Sequence, residues 1–300
     1  MIKNYYTLII TIFIVILSSC SPSLTAPPIT AQSNDNYVQG KFVWHDLLTT
    51  KVEESKIFYS KLFGWEFDTY ELANNYNYTM IYKWGRPIGG IVDVTKFDNA
   101  STITQWVSSI SVFDINQSIE TAKKLGAKLY GDPLKIEGRG YLALAADSEG
   151  AAFAMLQSTS GTPEAKVPQN GDWLWNEYWT LDIEKPAKFY SSLFGYTLEE
   201  RKINNKSYKV LSSAGISRAG ITVTPNDKIK NAWFTYIYVE NIDDVISKVE
   251  KFGGKVLLQA HKNPNGSLVA VITDPGGAGI LLRTIIPEEM EMIKEEIAKN

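Results

Sequence analysis

The sequence predicts an α+β protein built from two tandem copies of one domain, and each copy contains two βαβββ units. An internal repeat is the main observation behind this prediction. Residues 42–65 match residues 173–196 without a gap, and both stretches contain the pattern F-Y-x-x-L-F-G followed by an aromatic residue. Residues 105–129 match residues 232–256 in the same way. Repetition over a domain-sized length indicates a duplicated domain and not a solenoid of short units.

Local patterns predict the elements of each unit in order. Alternating β-forming residues predict a first strand at 41–49, and apolar residues at helical spacing predict a helix at 52–62 that Gly64 ends. Three strands follow, at residues 65–70, 76–83 and 88–94. The second unit repeats this order, with strand 106–113, helix 115–125 and strands 128–134, 141–146 and 151–156. The second copy is expected to repeat the whole arrangement.

The N-terminus predicts export and lipid attachment. Lys3 supplies positive charge, residues 8–17 form a short apolar run, and Leu-Ser-Ser precedes Cys20. This pattern is typical of a signal peptide, and its ending resembles the bacterial lipobox, in which the cysteine is acylated. Cys20 is the only cysteine in the sequence, so the mature domains have no disulfide, no thiolate metal site and no cysteine nucleophile. We expect an exported lipoprotein of the periplasm, anchored through Cys20 to a bacterial membrane, which is the outer membrane where two membranes exist.

Composition shifts divide the chain into six segments. Residues 1–19 are the predicted signal peptide, and residues 20–39 are polar, rich in proline and predicted to be a flexible tether. Residues 40–158 and 172–286 are the two copies, joined by a linker at 159–171, and residues 287–300 form a charged C-terminal helix. A net charge of -3 gives no basic surface of the kind that nucleic-acid binding requires.

The repeated motifs resemble those of the vicinal oxygen chelate superfamily, which includes glyoxalase I, extradiol dioxygenases and the fosfomycin and bleomycin resistance proteins. The matching features are F-Y-x-x-L-F-G-[WY] in the first helix of each copy and the D-x-x-G turns that begin at Asp147 and Asp274. The resemblance implies that the two units of each copy form one curved, open sheet with a cleft on its concave face. Function in such a fold belongs to the cleft, so the resemblance by itself assigns none.

The resemblance also implies where a metal ion would bind. Enzymes of the superfamily generally take His, Gln or Glu ligands from the first strand of each unit and from the last strand of the second unit. Position by position, these ligands fall on side chains that cannot bind a metal: Trp44, Val107, Ala154, Trp175, Phe234 and Leu281. We therefore expect neither a metal ion nor a cofactor.

Other catalytic patterns are weak. His45 lies beside the first expected ligand position, where it is either a metal ligand or general base, or a residue facing the helices or solvent. The second interpretation is favoured, because Asn176 takes the equivalent place in the second copy. His261 lies in a polar loop. The sequence contains no nucleophile elbow, dinucleotide-binding glycine pattern or phosphate-binding loop.

Strand alternation predicts what remains in the clefts. If Trp44 and Trp175 point inward, Asp46 and Glu177 point the same way. The candidate ligand-binding residues are Trp44, Asp46, Trp175, Glu177, Trp179, Phe234 and Tyr236. Aromatic rings around a carboxylate suit a flat or cationic organic ligand. The alternatives are core packing for the rings and a backbone-bonded carboxylate. Leu48 and Ser109 in the first copy replace bulkier rings, so its pocket is expected to take the larger ligand.

Three hypotheses about function follow. The first is a metal-free protein that binds or sequesters a small molecule in its aromatic clefts. The second is an enzyme, a lyase, isomerase or dioxygenase relative with an atypical site. The third is a structural or interaction module whose clefts are filled by its own side chains. Open space in the clefts would separate the first two hypotheses from the third.

Overall fold

The computed structural model describes residues 24–71, 77–96, 104–203, 206–225, 227, 229–263 and 265–298. The predicted signal peptide and Cys20 lie outside the described residues. The first copy contributes helices α1 (Val52–Phe63) and α2 (Ile115–Lys124). Its strands, preceded by a short one at the N-terminus, are β1 (Leu24–Thr25), β2 (Phe42–Thr49), β3 (Glu66–Glu71), β4 (Asn77–Lys83), β5 (Arg86–Asp93), β6 (Gln105–Ser111), β7 (Lys128–Leu129), β8 (Leu134–Glu137), β9 (Gly140–Ala146) and β10 (Ala152–Ser158).

The second copy repeats this order. Its helices are α3 (Glu184–Phe194) and α4 (Ile242–Val249), and helix α5 (Pro287–Ala298) follows at the C-terminus. Its strands are β11 (Trp173–Thr180), β12 (Thr197–Ile203), β13 (Lys206–Ser213), β14 (Ile216–Val223), β15 (Ala232–Tyr238), β16 (Lys255–Lys262), β17 (Leu268–Thr273) and β18 (Gly279–Arg283). No helix in the described part of the chain is long and apolar enough to cross a membrane.

Each copy forms its own curved sheet, which confirms the predicted fold. The first sheet has the order β1-β8-β9-β10-β6-β2-β5-β4-β3, with β7 paired to β9, and the second has the order β12-β13-β14-β11-β15-β18-β17-β16. In both sheets the first strands of the two units are antiparallel neighbours at the centre, β2 with β6 and β11 with β15. The sheet therefore continues from one unit into the next, and its centre carries residues from both.

The helix ends follow from local sequence. Gly64 and Gly195 end α1 and α3 in the left-handed conformation, which glycine adopts at no steric cost. The side chains of Asp114 and Asn241 accept hydrogen bonds from backbone N–H groups in the first turns of α2 and α4. These capping bonds satisfy donors that a helix start leaves without intrahelical partners.

The two copies share their hydrophobic cores. One core cluster joins Ile110 and Phe153 of the first copy to Tyr190 and Trp233 of the second. The other joins the first unit of copy one to the second unit of copy two. The sheets thus face each other through their helix-bearing sides, which we call the inner faces. The opposite, outer faces carry the clefts, and we call these the first cleft and the second cleft after their copies.

The segment before the first copy packs against it, which corrects the predicted flexible tether for the residues from 24 onward. Leu24 and Thr25 pair in parallel with Ile136 and Glu137 of β8. Ile29 is completely buried. The prediction failed because a segment rich in proline lacks the periodic apolar pattern that marks helices and strands, although strand pairing and the buried side chain of Ile29 hold this one against the first copy.

Candidate functional site

Alternation along the central strands directs the predicted site residues to the outer faces. On β2 the inner face takes His45 and Leu47, whereas Trp44 and Asp46 project to the outer side. On β11 Tyr178 belongs to the inner core, whereas Glu177 and its neighbours two residues away project outward. This is the consequence of a two-residue period in a strand that has a core on one side only.

The second cleft is built around the carboxylate of Glu177. Trp179 Nε1 donates to Glu177 Oε1 over 2.7 Å, and the Tyr236 hydroxyl donates to the same oxygen over 3.1 Å. The Tyr208 hydroxyl donates to Oε2 over 3.0 Å and itself accepts from Trp175 Nε1 over 3.0 Å. The structure therefore brings together all the predicted second-copy residues that carry a polar atom, and it adds Tyr208.

The rings of this cleft differ in exposure. Trp175, Phe234 and Tyr236 are half-buried, whereas Trp179 is only 7% exposed. Trp179 and Phe234 pack together with ring centroids 4.4 Å apart. Phe234 and Tyr236 lie on β15, where they are paired with Glu177 and Trp175 of β11. The half-buried rings leave aromatic surface that a flat molecule can contact.

Burial sets the protonation behaviour of Glu177. Desolvation raises the pKa of Glu177 above its ordinary value, although the donors from Trp179, Tyr208 and Tyr236 oppose that rise. The positive charge of Arg283 on β18 also favours the carboxylate. Arg283 is itself held by Glu289 of α5, whose two carboxylate oxygens lie 2.7 and 2.8 Å from Arg283 Nη2. The carboxylate thus sits in an aromatic environment with its nearest cation already paired.

The first cleft repeats this arrangement with different surroundings. Trp44 Nε1 donates to Asp46 Oδ1 over 3.1 Å and to the Tyr78 hydroxyl over 2.9 Å. Tyr78 donates to Asp46 Oδ1 over 2.5 Å, and Arg139 Nη1 donates to the Tyr78 oxygen over 2.9 Å. Burial raises the pKa of Asp46, and the Arg139 charge opposes that rise. Each cleft therefore has the same Trp, carboxylate and Tyr in hydrogen-bond contact.

Two glycines make room for these tyrosines. Gly90 of β5 pairs with Asp46, and Gly220 of β14 pairs with Glu177. A Cβ atom on Gly90 would overlap the Tyr78 hydroxyl, and one on Gly220 would overlap the Tyr208 hydroxyl. Sequence reasoning missed all four residues, together with Arg139 and Arg283. The repeat could have revealed the two tyrosines and the two glycines, because Tyr78 and Gly90 recur as Tyr208 and Gly220 at the equivalent positions of the second copy.

The first cleft is covered, which corrects the expectation that it takes the bulkier ligand. Ile29 packs in one buried cluster with Trp44, Tyr78 and Met80. Ile29 therefore occupies part of the space that a bulkier ligand would need.

The side chains at the expected metal positions do not fit a metal ion. Val107 and Ala154 are apolar, lie in one buried cluster and offer no ligand atom. The carboxylate oxygens of Asp46 and Glu177 are engaged by Trp and Tyr donors. Within the described residues no group of three or more His, Cys, Asp or Glu side chains could hold a metal ion.

His45 belongs to the interface between the copies and to neither cleft. Its Nδ1 lies 2.9 Å from Ser108 Oγ, and its ring packs on Trp173 with centroids 4.4 Å apart. Ser108 in turn contacts Asn176 and Thr235 of the second copy. Burial lowers the pKa of His45 to about 3, so the ring is neutral at physiological pH. The structure places His45 on the helix-bearing side, as the favoured sequence interpretation holds.

Comparisons with known proteins concern the family and the fold of the chain. The family model of the Glyoxalase/Bleomycin resistance protein/Dioxygenase superfamily matches residues 176–282. Residues 176–282 therefore form a domain of this superfamily. CFP32 of Mycobacterium bovis, named as a glyoxylase, is 26% identical over 244 residues, which cover 81% of this chain and 94% of CFP32. The anthracycline biosynthesis protein DnrV of Streptomyces peucetius is 23% identical over 261 residues, which cover 81% of this chain and 92% of DnrV.

A solved structure shows the same fold. The Mn(II)-bound glyoxalase of Novosphingobium aromaticivorans superposes with a TM-score of 0.55 at 12% sequence identity, covering 83% of this chain and 82% of that one. At such low identity the likeness concerns the tandem curved-sheet fold alone. The superfamily fold is therefore present with a donor set that lacks metal ligands at the expected positions.

Proposed function

We propose that this superfamily member binds a planar aromatic ligand with a positive charge in the second cleft, without a metal ion, and thereby sequesters it. The observation that carries the proposal is the carboxylate of Glu177, which is 9% exposed and lies among Trp175, Trp179, Tyr208 and Tyr236. A buried carboxylate attracts a cation, and neighbouring ring faces add stacking and cation–π contacts of about 0.5–2 kcal/mol each.

Two further observations support this assignment. The second cleft presents half-buried rings, whereas the first cleft is covered by the chain itself. The similarity to a protein of anthracycline biosynthesis points to the same ligand chemistry, because an anthracycline is a planar polycyclic aromatic molecule. Apolar walls with a few placed polar groups are the usual composition of a small-molecule site.

Ethidium, a planar aromatic molecule with a permanent positive charge, is a suitable probe. We expect ethidium to bind saturably at one site, and calorimetry and tryptophan fluorescence measure this binding. Three residues of the second cleft can each be replaced by the residue at the equivalent position of the first copy. These variants, Trp179→Leu, Phe234→Val and Tyr236→Ser, should each bind ethidium at least tenfold more weakly than the wild type. Trp84→Leu removes a tryptophan that is 57% exposed and contributes to neither cleft, and it should bind as the wild type does. Equal affinity of the cleft variants and this control would refute the site.

A metal-independent enzyme is the second candidate. It is favoured by the raised pKa of Glu177, which gives the carboxylate greater basicity, and by the hydroxyls of Tyr208 and Tyr236, which hold the carboxylate in place through hydrogen bonds. The similarity to CFP32, named as a glyoxylase, points to oxoaldehyde chemistry. Consumption of methylglyoxal with glutathione tests this candidate. Activity that Glu177→Gln abolishes and that needs no added metal would favour the enzyme, whereas activity that requires Mn(II) would refute the metal-free proposal.

We also propose that Cys20 is acylated and anchors the protein to a membrane. The described chain begins at Leu24, and four residues span at most roughly 14 Å. Because residues from 24 onward pack on the first copy, the domain pair would lie close to the bilayer and not at the end of a long tether. Cys20→Ser should give unprocessed or soluble protein. A Cys20→Ser protein that is processed and still fractionates with membranes would contradict the anchor.

A further inference from the structure

The first cleft already holds a peptide, which is the chain's own segment at residues 26–29. The carbonyl oxygen of Pro27 accepts two hydrogen bonds from Arg139, over 3.2 Å from Nε and 3.1 Å from Nη2. Ile29 is completely buried against Trp44 and Tyr78. Ala26 is 5% exposed, and its N–H donates to the Glu137 carbonyl over 3.0 Å. The first cleft therefore contacts an apolar side chain at one position and a backbone carbonyl at another.

Arg139 contacts both the segment at residues 26–29 and the aromatic residues of the first cleft. Its guanidinium carbon lies 4.7 Å from the ring centroid of Trp44 and 4.8 Å from that of Tyr78. The same group donates to the Tyr78 hydroxyl and to the Pro27 carbonyl. Arg139 is only 4% exposed, so these hydrogen bonds form in a desolvated environment where charged donors are strongest.

The sequence of the segment suits an aromatic groove. Two consecutive prolines fix φ near −65° and bias the residue before each proline toward extended backbone. A segment of this kind is already extended before it binds, so it loses little conformational entropy, and this is the physical basis on which aromatic-lined grooves recognise proline-rich peptides.

One polar atom of the first cleft has no partner even with the segment in place. Ser109 is completely buried, and its Oγ has no hydrogen-bond partner among the described residues. Ser109 lies on β6, paired with Trp44 on one side and with Ala154 on the other. Leaving a buried hydroxyl without a partner is unfavourable, so the Ser109 hydroxyl is an available contact for a ligand polar group.

We infer that the first cleft is a peptide-binding site, specific for short apolar segments that contain proline, and that residues 26–29 act as its built-in competitor. A free peptide must displace a segment that is covalently attached and therefore present at millimolar effective concentration. The site opens only when this segment dissociates. The inference concerns the first cleft alone and does not depend on what the second cleft binds.

The test uses the full-length chain and the acetylated, amidated peptide LTAPPITA, which is the sequence of residues 24–31. Ile29→Asp in the protein places a charge at a completely buried position and should release the segment. We expect this variant to bind the peptide at least tenfold more tightly than the wild type, with a change in the fluorescence of Trp44. The same peptide with aspartate in place of isoleucine should not bind.

Two further substitutions in the Ile29→Asp protein localise the binding. Arg139→Gln removes the donors to Pro27 and should reduce peptide affinity at least tenfold. Lys135→Gln removes one charge from an exposed position on β8 and should leave the affinity unchanged. Peptide binding that is equal in wild type and Ile29→Asp protein, or that is insensitive to Arg139→Gln, would overturn the inference, as would a folded Ile29→Asp protein that binds no peptide.

Hydrogen exchange on the wild-type protein gives an independent answer if Ile29→Asp does not fold. A releasable segment opens without global unfolding, so the Ala26 amide should exchange at least a hundredfold faster than amides of β2 and β10. Exchange of Ala26 at the rate of those central strands would show that the segment is a permanent part of the fold, and it would overturn the inference.

Discussion

The Tyr190 hydroxyl donates a hydrogen bond of 2.9 Å to Asp147 Oδ2, which joins the first helix of the second copy to a turn of the first copy. The reciprocal contact exists as well, because the Tyr59 hydroxyl lies 3.3 Å from Asp274 Oδ2. Both tyrosines belong to the F-Y-x-x-L-F-G pattern and both aspartates begin the repeated turns. The two sequence motifs that recur in each copy therefore contact each other across the boundary between the copies.

Removing one of these hydroxyls should destabilise the whole chain. Tyr190→Phe leaves the buried Asp147 carboxylate without one of its donors, and we expect a loss of about 1–3 kcal/mol in the free energy of unfolding. Tyr59→Phe should have a similar cost, because it removes a donor from Asp274 and also the acceptor of Trp106 Nε1, which lies 3.0 Å from the Tyr59 hydroxyl. Urea denaturation measures both effects. Tyr37→Phe, at a position 42% exposed, is the control, and a Tyr190→Phe protein as stable as this control would contradict the prediction.

Periodicity and repetition predicted the fold because both can be read directly from the order of residues along the chain. Strand alternation placed Asp46 and Glu177 on the outer faces, and repetition gave two sheets of one topology. The partners of these carboxylates were not predictable in this way, since Tyr78 lies 32 residues from Asp46 and the contact depends on the pairing of β4 with β5. The position of Ile29 was hidden for another reason, because a single buried side chain in a segment rich in proline leaves no periodic pattern.

The glycine opposite each carboxylate should be essential for its cleft. A Cβ atom at position 220 would overlap the Tyr208 hydroxyl, so Gly220→Ala must displace the ring that donates to Glu177. We expect a stability loss of about 1–3 kcal/mol, typical of overpacking, and a loss of ethidium binding. Gly279→Ala is the matched control, because its nearest contact beyond its chain neighbours would be an ordinary 3.7 Å to Phe234. Both effects should be absent in Gly279→Ala, and equal behaviour of the two variants would show that Gly220 provides no necessary space.

Cation binding in the second cleft should depend on pH through Glu177. Burial raises the pKa of this carboxyl above its ordinary value of 4.5, so the group becomes neutral at a higher pH than an exposed glutamate does. Ethidium keeps its charge throughout, and its affinity should therefore fall as pH decreases through this raised pKa. Glu177→Gln should bind ethidium weakly and without this pH dependence. Glu66→Gln makes the same change in net charge at an exposed position and should retain both the affinity and the pH dependence. A pH dependence that survives in Glu177→Gln would assign the titration to another group.

The free energy of unfolding should fall more at acidic pH in the wild type, which has histidine at position 45, than in a variant with asparagine there. Burial lowers the pKa of His45 from 6.5 to about 3, so the folded protein binds fewer protons there than the unfolded chain at any pH between these values. The stability that this group contributes is complete above pH 6.5 and is lost as pH falls toward 3. At pH 5 the loss amounts to about 2 kcal/mol, since each pH unit is worth about 1.4 kcal/mol.

The repeat supplies the comparison, because Asn176 is the second-copy equivalent of His45 and an amide can also bond to Ser108. The buried carboxyls Asp147, Glu177 and Asp274 have raised pKa values and oppose the effect, since folding then favours their protonated forms at low pH. They are the same in both proteins, so their contribution cancels in the difference. Urea denaturation of wild type and His45→Asn at pH 7 and pH 5 should show the wild type losing about 2 kcal/mol relative to the variant. Parallel losses in the two proteins would mean that His45 takes up a proton in the folded state as readily as in the unfolded chain.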